Sequence, residues 1–237
     1  TLFDHKQKGK DNEDGDAFLV SNLQAKKSKY SFSQFLKRFS IVKEEMQIDL
    51  DEFDLSYYTY GMSIYKNMPL IEPLETKEVK KIYEFVIVLD TSYSIDENLA
   101  KRFISNTYSI LSTSNMFYKS CKVHIIQCDD RIRKDDVISN QNEMDRLLNS
   151  FSLIGGGNTD FRPVFSYVND LVDHKAFQNL CGLLYFTDGK GIYPKKSPAY
   201  KTAFIYLEDY DQSKVPSWAI QYRLEEKLWI YYRQKMK

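Results

Sequence analysis

Asp90-Thr91-Ser92-Tyr93-Ser94 sets a carboxylate and two hydroxyls at alternate positions, directly after the apolar run Phe85-Val86-Ile87-Val88-Leu89. A run of that length and β-branched content reads as a buried strand. Open α/β sheets bind ligands at the carboxyl ends of their strands. Asp90, Ser92 and Ser94 are therefore candidate hard oxygen donors, suited to Mg²⁺, Ca²⁺ or Mn²⁺ rather than to zinc. Alone, the pattern also fits a bland reading, because Ser94 or Asp96 could simply cap the helix that follows.

Two later segments supply the same kind of donor. Gly155-Gly156-Gly157-Asn158-Thr159-Asp160 is a glycine loop ending in a hydroxyl and a carboxylate. Gly182-Leu183-Leu184-Tyr185-Phe186-Thr187 reads as a second buried strand and ends on Asp188-Gly189. Asp90 and Asp188 at neighbouring strand ends would need a cation or a proton between them. Asp160 could be a sixth oxygen donor, but a supporting role that fixes the loop is the preferred reading. Asp129-Asp130 and Arg162 read as solvated or structural groups.

Other strand-end chemistries fit less well. A haloacid-dehalogenase-type phosphotransferase needs a second Asp where Ser92 stands. A dinucleotide site needs G-x-G-x-x-G directly after the first strand, and neither it nor a P-loop lysine pattern is found there. His5, His124 and His174 show no spacing that suggests Ser/His/Asp catalysis, and H-E-x-x-H is missing, so the chain carries no zinc-protease motif.

The elements that must position these residues follow from periodicity. From Tyr83 onward, strands alternate with helices: strand Tyr83–Leu89, a helix over about 96–112, strand Cys121–Cys128, a short pairing element at 130–133, and a helix around 143–149. After the glycine loop come a helix over about 161–172 with Pro163 in its first turn, then strands at 183–187, 202–207 and 218–222. The alternation predicts a doubly wound, mostly parallel α/β sheet covered on both faces. Such a fold gathers the three donor segments on one rim, although about 70 and then about 30 residues separate them. Upstream, the spacing of Phe32, Phe35, Leu36 and Phe39 predicts a helix from a Ser31 cap to about Ile41. Asp54–Tyr60 and Met62–Tyr65 read as a hairpin turning at Gly61. The expected organisation is a polar, helix-and-hairpin N-terminal extension over residues 1–80 packing on the main domain, the α/β domain over 81–223, and a basic amphipathic tail over 224–237.

Composition narrows the partners. The 237 residues carry 33 basic and 33 acidic side chains, so net charge points neither to nucleic acid nor to an anionic membrane. No apolar run approaches a membrane span and no signal peptide is visible. Cys121, Cys128 and Cys181 lie in or beside apolar segments without a C-x-x-C pair, which suits buried, reduced thiols and a cytoplasmic setting. The chain opens on Thr rather than Met, pointing to a piece of a longer protein.

D-x-S-x-S, a glycine-flanked Thr and a Thr-Asp-Gly after an apolar strand together resemble the metal-ion-dependent adhesion site (MIDAS) of von Willebrand factor A (VWA) domains. The resemblance implies a VWA/Rossmann-like fold with Mg²⁺ held by Asp90, Ser92, Ser94, Thr159 and Asp188, some of them through water. It departs at Tyr93, where such sites often carry Gly; Tyr93 would overhang the metal, narrow access or touch a partner. From about Tyr30 the chain is similar to a bacterial family labelled VWA-like or predicted metallopeptidase. Asp51-Glu52-Phe53-Asp54, Asn67-Met68-Pro69-Leu70-Ile71-Glu72-Pro73, Gly155–Pro163 and Phe186–Gly189 carry that likeness. It implies a preceding peptidase-like region and association with a MoxR-type AAA+ ATPase.

Three functions are open at this level. The first is a binding module whose metal accepts an Asp or Glu from a partner protein. The second is a metal-dependent hydrolase using Asp160 as base. The third is an assembly scaffold with a vestigial site. The residues favour the first and give this chain no enzyme motif.

Overall fold

The computed structural model describes residues 31–93, 95–113, 117–206 and 210–224. Among the described residues, six strands of a seven-stranded sheet lie in the order β4-β3-β2-β5-β6-β7. They are β2 (Pro73–Asp90), β3 (Phe117–Cys128), β4 (Ile132–Ile138), β5 (Leu180–Thr187), β6 (Thr202–Tyr206) and β7 (Ile220–Arg223). All neighbours run parallel except β4, which pairs antiparallel with β3. The expected doubly wound, mostly parallel sheet is what forms. The chain builds outward from β2 through β3 to β4, then returns to lay β5 on the other side of β2. The order thus reverses between β2 and β5, and the carboxyl ends of those two strands flank the crevice where such sheets bind ligands.

From Glu84 to Asp90 β2 is buried without interruption, as expected of a strand covered on both faces. Its side chains alternate between two cores. Phe85, Ile87 and Leu89 pack with helix α2 (Glu97–Thr113) and helix α3 (Gln141–Asn149). Val86 and Val88 pack on the other face with Val164, Phe165 and Val168 of helix α4 (Arg162–Asp173). Asn140 caps α3 by accepting from the Glu143 N–H, and the Glu143 carboxylate accepts from the N–H of Ser139, the residue before the cap, at 2.7 Å. The three cysteines are free and buried, and burial pushes the thiols of Cys121 and Cys128 up to about 12.

The N-terminal part departs from the sequence reading. Residues 31–36 are helical, but a 3-10 turn at Lys37–Phe39 ends the helix before Ile41. Phe32, Phe35, Leu36 and Phe39 are buried in the first core, and Phe39 meets Phe85 edge-on at 5.4 Å. Ile41 opens an unanticipated strand, β1 (Ile41–Phe53), antiparallel to the outer half of β2. The hairpin expected over 54–65 is instead helix α1 (Leu55–Tyr65). Asp54 overrides the strand preference of the tyrosines by capping this helix, accepting from Ser56 N–H at 2.7 Å and Tyr57 N–H at 3.4 Å. Gly61 does not turn the chain; it lets the backbone of Leu70 cross directly against the helix, where any Cβ would collide. The expected pairing element at 130–133 is the longer β4. The tail helix over 224–237 lies outside the described residues except for Leu224.

Candidate metal centre

The rim at the β2/β5 crevice is built from four segments. At the end of β2, Asp90 is fully buried, and its carboxylate is held at both oxygens. Oδ1 accepts from the Ser92 N–H at 2.9 Å, and Oδ2 accepts from the Thr187 hydroxyl at 2.7 Å. Burial raises the Asp90 pKa; hydrogen bonds from Thr187 and Ser92 oppose that rise, and the nearby charge of Asp188 adds to it. No cationic side chain pairs with Asp90 among the described residues. Thr187 links the strands, because the hydroxyl that donates to Asp90 also accepts from the Gly189 N–H at 3.0 Å. Asp188 is itself buried. Its Oδ1 accepts from the Lys190 N–H at 3.0 Å, and its Oδ2 lies 3.4 Å from the mostly exposed Lys190 ammonium.

The glycine loop closes over this pair. The Gly156 N–H donates to the Thr91 carbonyl at 2.9 Å. A Cβ at Gly155 would strike Thr91, so only glycine lets the two backbones approach this closely. The Tyr93 ring lies beside Gly156 and is 91% exposed, standing over the rim toward solvent. Thr159 is half-buried, and its methyl stands against Gly191, just beyond Asp188. The fold therefore brings Asp90, Ser92, Asp188 and the loop bearing Thr159 to one rim, with Tyr93 beside it. Ser94 lies outside the described residues.

Asp160 has a different situation. Its carboxylate is held in a fork by Arg162, with Nε at 2.9 Å from Oδ1 and 3.1 Å from Oδ2, and it also accepts from the Arg162 N–H at 3.0 Å. Arg162 keeps its pKa below the usual carboxylate range. A carboxylate held this way is a weaker proton acceptor than a free one.

Of the two readings open for Asp129, solvated or structural, the structural one holds, and sequence reasoning did not place it at the rim. Asp129, at the end of β3, is fully buried rather than solvated. Arg133 grips it with Nε at 2.8 Å and Nη2 at 2.7 Å. Its Oδ2 also accepts from the Gly157 N–H at 3.2 Å, and its backbone carbonyl accepts from the Asp160 N–H at 3.0 Å. Burial alone would raise its pKa, but Arg133 and the surrounding N–H groups hold it well below the usual range. Asp129 thus fixes both ends of the segment that carries Thr159. The available signal was positional: three apolar strands, β2, β3 and β5, are each followed or ended by an aspartate, at Asp90, Asp129 and Asp188.

Among the described residues no group of three or more His, Cys, Asp or Glu side chains could hold a metal ion. The donor set of the rim is of another type, two carboxylates with hydroxyls. A buried, unpaired carboxylate beside a second one, with only oxygen donors around, fits a hard divalent cation.

A family model described as a VWA-like domain (DUF2201) matches residues 85–225. No curated protein matches the chain. Among solved structures, proximal thread matrix protein 1 from the mussel byssus, in a form with a zinc-occupied MIDAS motif, is 11% identical, with 65% of this chain and 47% of that chain covered and a TM-score of 0.44. A von Willebrand factor type A protein from Catenulispora acidiphila is 9% identical over 68% of this chain and 44% of that one, with a TM-score of 0.44. The SpRpn10 VWA domain is 8% identical over 64% of this chain and 95% of that one, again with a TM-score of 0.44. The chain spans less than half the length of the first two, and these likenesses extend no further than the fold. Among the described residues no helix is long and apolar enough to cross a membrane. With a family model covering more than half of its length, the chain belongs to the VWA-like domain family (DUF2201).

Proposed function

We propose that this chain is a metal-dependent protein-binding module, with Mg²⁺ held at Asp90, Ser92, Ser94, Thr159 and Asp188 and a partner's Asp or Glu completing the shell. The observation that carries this reading is the buried Asp90 carboxylate, which has Asp188 as a neighbour and no cation paired with it among the described residues. Neutral hydroxyls leave a bound ion electron-poor, so a carboxylate from outside is the ligand such a shell accepts best. Tyr93, exposed at the rim, is placed to touch whatever brings that carboxylate. The zinc-occupied MIDAS motif of the mussel byssus protein offers a parallel for a divalent ion in this fold. The sequence resemblance points to a MoxR-type AAA+ ATPase as the partner, with this chain as the non-catalytic part of a larger predicted metallopeptidase.

Thermal unfolding of the wild type and Asp90→Asn in EDTA, Mg²⁺ and Mn²⁺ tests the reading. Asn keeps an acceptor for the Ser92 N–H, turns an NH2 donor toward the Thr187 hydroxyl oxygen, and removes the charge. An ion at about a hundred times its Kd adds roughly 2.7 kcal/mol, or about 5–10 °C at this size. The expected result is a rise in the wild type alone. No rise in either protein, at millimolar ion, overturns the metal-bridged reading in favour of an assembly scaffold.

A further inference from the structure

The overall charge of zero hides an acidic, strongly apolar arm. Between residues 41 and 81 stand nine acidic side chains and five lysines, of which Lys77 pairs with Asp49 and Asp51. The same stretch is where the surface is most apolar: fourteen of the eighteen exposed large hydrophobic residues lie between Val42 and Ile71. Met46 is 91% exposed and Leu50 85%, with Ile48 between them at the alternate position. The arm is a two-stranded ribbon of β1 and the outer half of β2, with α1 at its far end. β1 pairs with β2 alone, so its other edge is open among the described strands.

None of this suits an arm standing in water. Two strands without a third, or without a helix packed across them, are marginal alone. An open strand edge carrying apolar side chains is a template for another chain. Helix α1 has no charged residue and buries only Gly61; Ser56, Thr59 and Ser63 share one face, and apolar and tyrosine side chains cover the rest. Exposed apolar area on this scale marks an interaction surface, and the charges around it select the occupant. Glu44, Glu52, Glu72 and Glu75 are exposed and have no ion-pair partner among the described residues. A second copy of the chain would set one acidic arm against another, which complementarity disfavours.

We propose that the β1–α1 arm is the docking surface for a cationic amphipathic segment of a partner protein, one that lays leucine-like side chains on Met46, Ile48, Leu50 and α1 while its lysines and arginines meet the arm's acids. The site is separate from the metal rim and does not rest on it. It lies at the opposite end of β2 from Asp90.

The test uses the full chain and a fluorescent synthetic Leu/Lys amphipathic peptide of about four helical turns, beside a scrambled peptide of the same composition. Fluorescence anisotropy reads binding to the wild type, to Glu44→Lys/Glu52→Lys/Glu75→Lys and to Met46→Ser/Ile48→Ser/Leu50→Ser. Asp170→Lys/Asp173→Lys on the body serves as a control for charge alone. Binding of the amphipathic peptide that weakens about tenfold or more in both arm variants, and not in the body variant, supports the proposal. Equal binding of the scrambled peptide, equal binding by the arm variants, or no binding by the wild type overturns it. Sedimentation runs alongside: a wild-type dimer that the apolar variant dissolves overturns it in favour of a second copy.

Discussion

Asp129 shows how one side chain can govern a rim it does not line. It is buried, forked by Arg133 and donated to by Gly157 N–H, while its own carbonyl holds Asp160 N–H. Removing one partner of a buried pair is far more damaging than replacing both, because a lone charge stays behind. Arg133→Met should therefore cost about 3–5 kcal/mol in urea unfolding at neutral pH. The same variant should reduce the Mg²⁺-dependent rise in Tm, because the loop bearing Thr159 loses its anchor. The pH dependence has a definite sign. The Asp129 carboxyl is depressed in the folded chain, so its contribution is present above the unfolded value of about 3.9. It is lost as pH falls through that value toward the lower folded one. The wild type should lose stability steeply below about pH 4, and Arg133→Met should show a shallower acid limb from a lower plateau. Parallel acid limbs in the two proteins would remove the ion pair from this role.

At the scale of elements, the sheet was legible because its strands are continuous apolar runs: Phe85–Leu89 and Leu183–Thr187 could be read directly, and Asp90 and Asp188 followed as their terminal residues. The arm was not legible for the converse reason. β1 carries Glu44, Glu45, Asp49, Asp51 and Glu52, residues depleted in strands, and its apolar members face solvent. In α1 the tyrosines argued for strand, and the Asp54 cap, visible in the sequence, was the overlooked signal. The N-terminal aromatic helix was found, but not its seat. Phe39 occupies the space left by Gly182 on β5, where an added Cβ would strike both the Phe39 ring and the Lys201 carbonyl. Because a backbone atom cannot give way as a side-chain tip does, Gly182→Ala should cost about 1–3 kcal/mol by overpacking. Phe39→Ala, which empties the same seat, should cost about 3–5 kcal/mol. Combining them should cost less than the sum, since alanine at 182 meets no ring once Phe39 is gone. Strict additivity in a double-mutant cycle would show that the aromatic helix does not seat on Gly182.

On the scale of the whole molecule, one strand joins the two proposed interaction sites. Thr76, the β2 partner of Met46, and Asp90 are fourteen residues apart on the same strand. At the rise of a strand that is about 45 Å. From Glu84 to Asp90 the strand is buried in the sheet, and below Ile82 it continues as the ribbon paired with β1. Sites that far apart, with no shared partner, should behave independently. Asp90→Asn should abolish the Mg²⁺-dependent rise in Tm and leave affinity for the Leu/Lys peptide unchanged. Met46→Ser/Ile48→Ser/Leu50→Ser should do the reverse, and should move the Tm in EDTA little, because exposed side chains shift stability by about 0.5 kcal/mol or less each. The combined variant should show both losses in full. A change in peptide affinity on adding Mg²⁺ to the wild type would instead reveal coupling along β2, and by reciprocity the peptide would then shift Mg²⁺ affinity by the same factor. Independence is the expectation here; under the two proposals the chain would bridge a carboxylate-bearing partner at the rim and a cationic one at the arm, about 45 Å apart along β2.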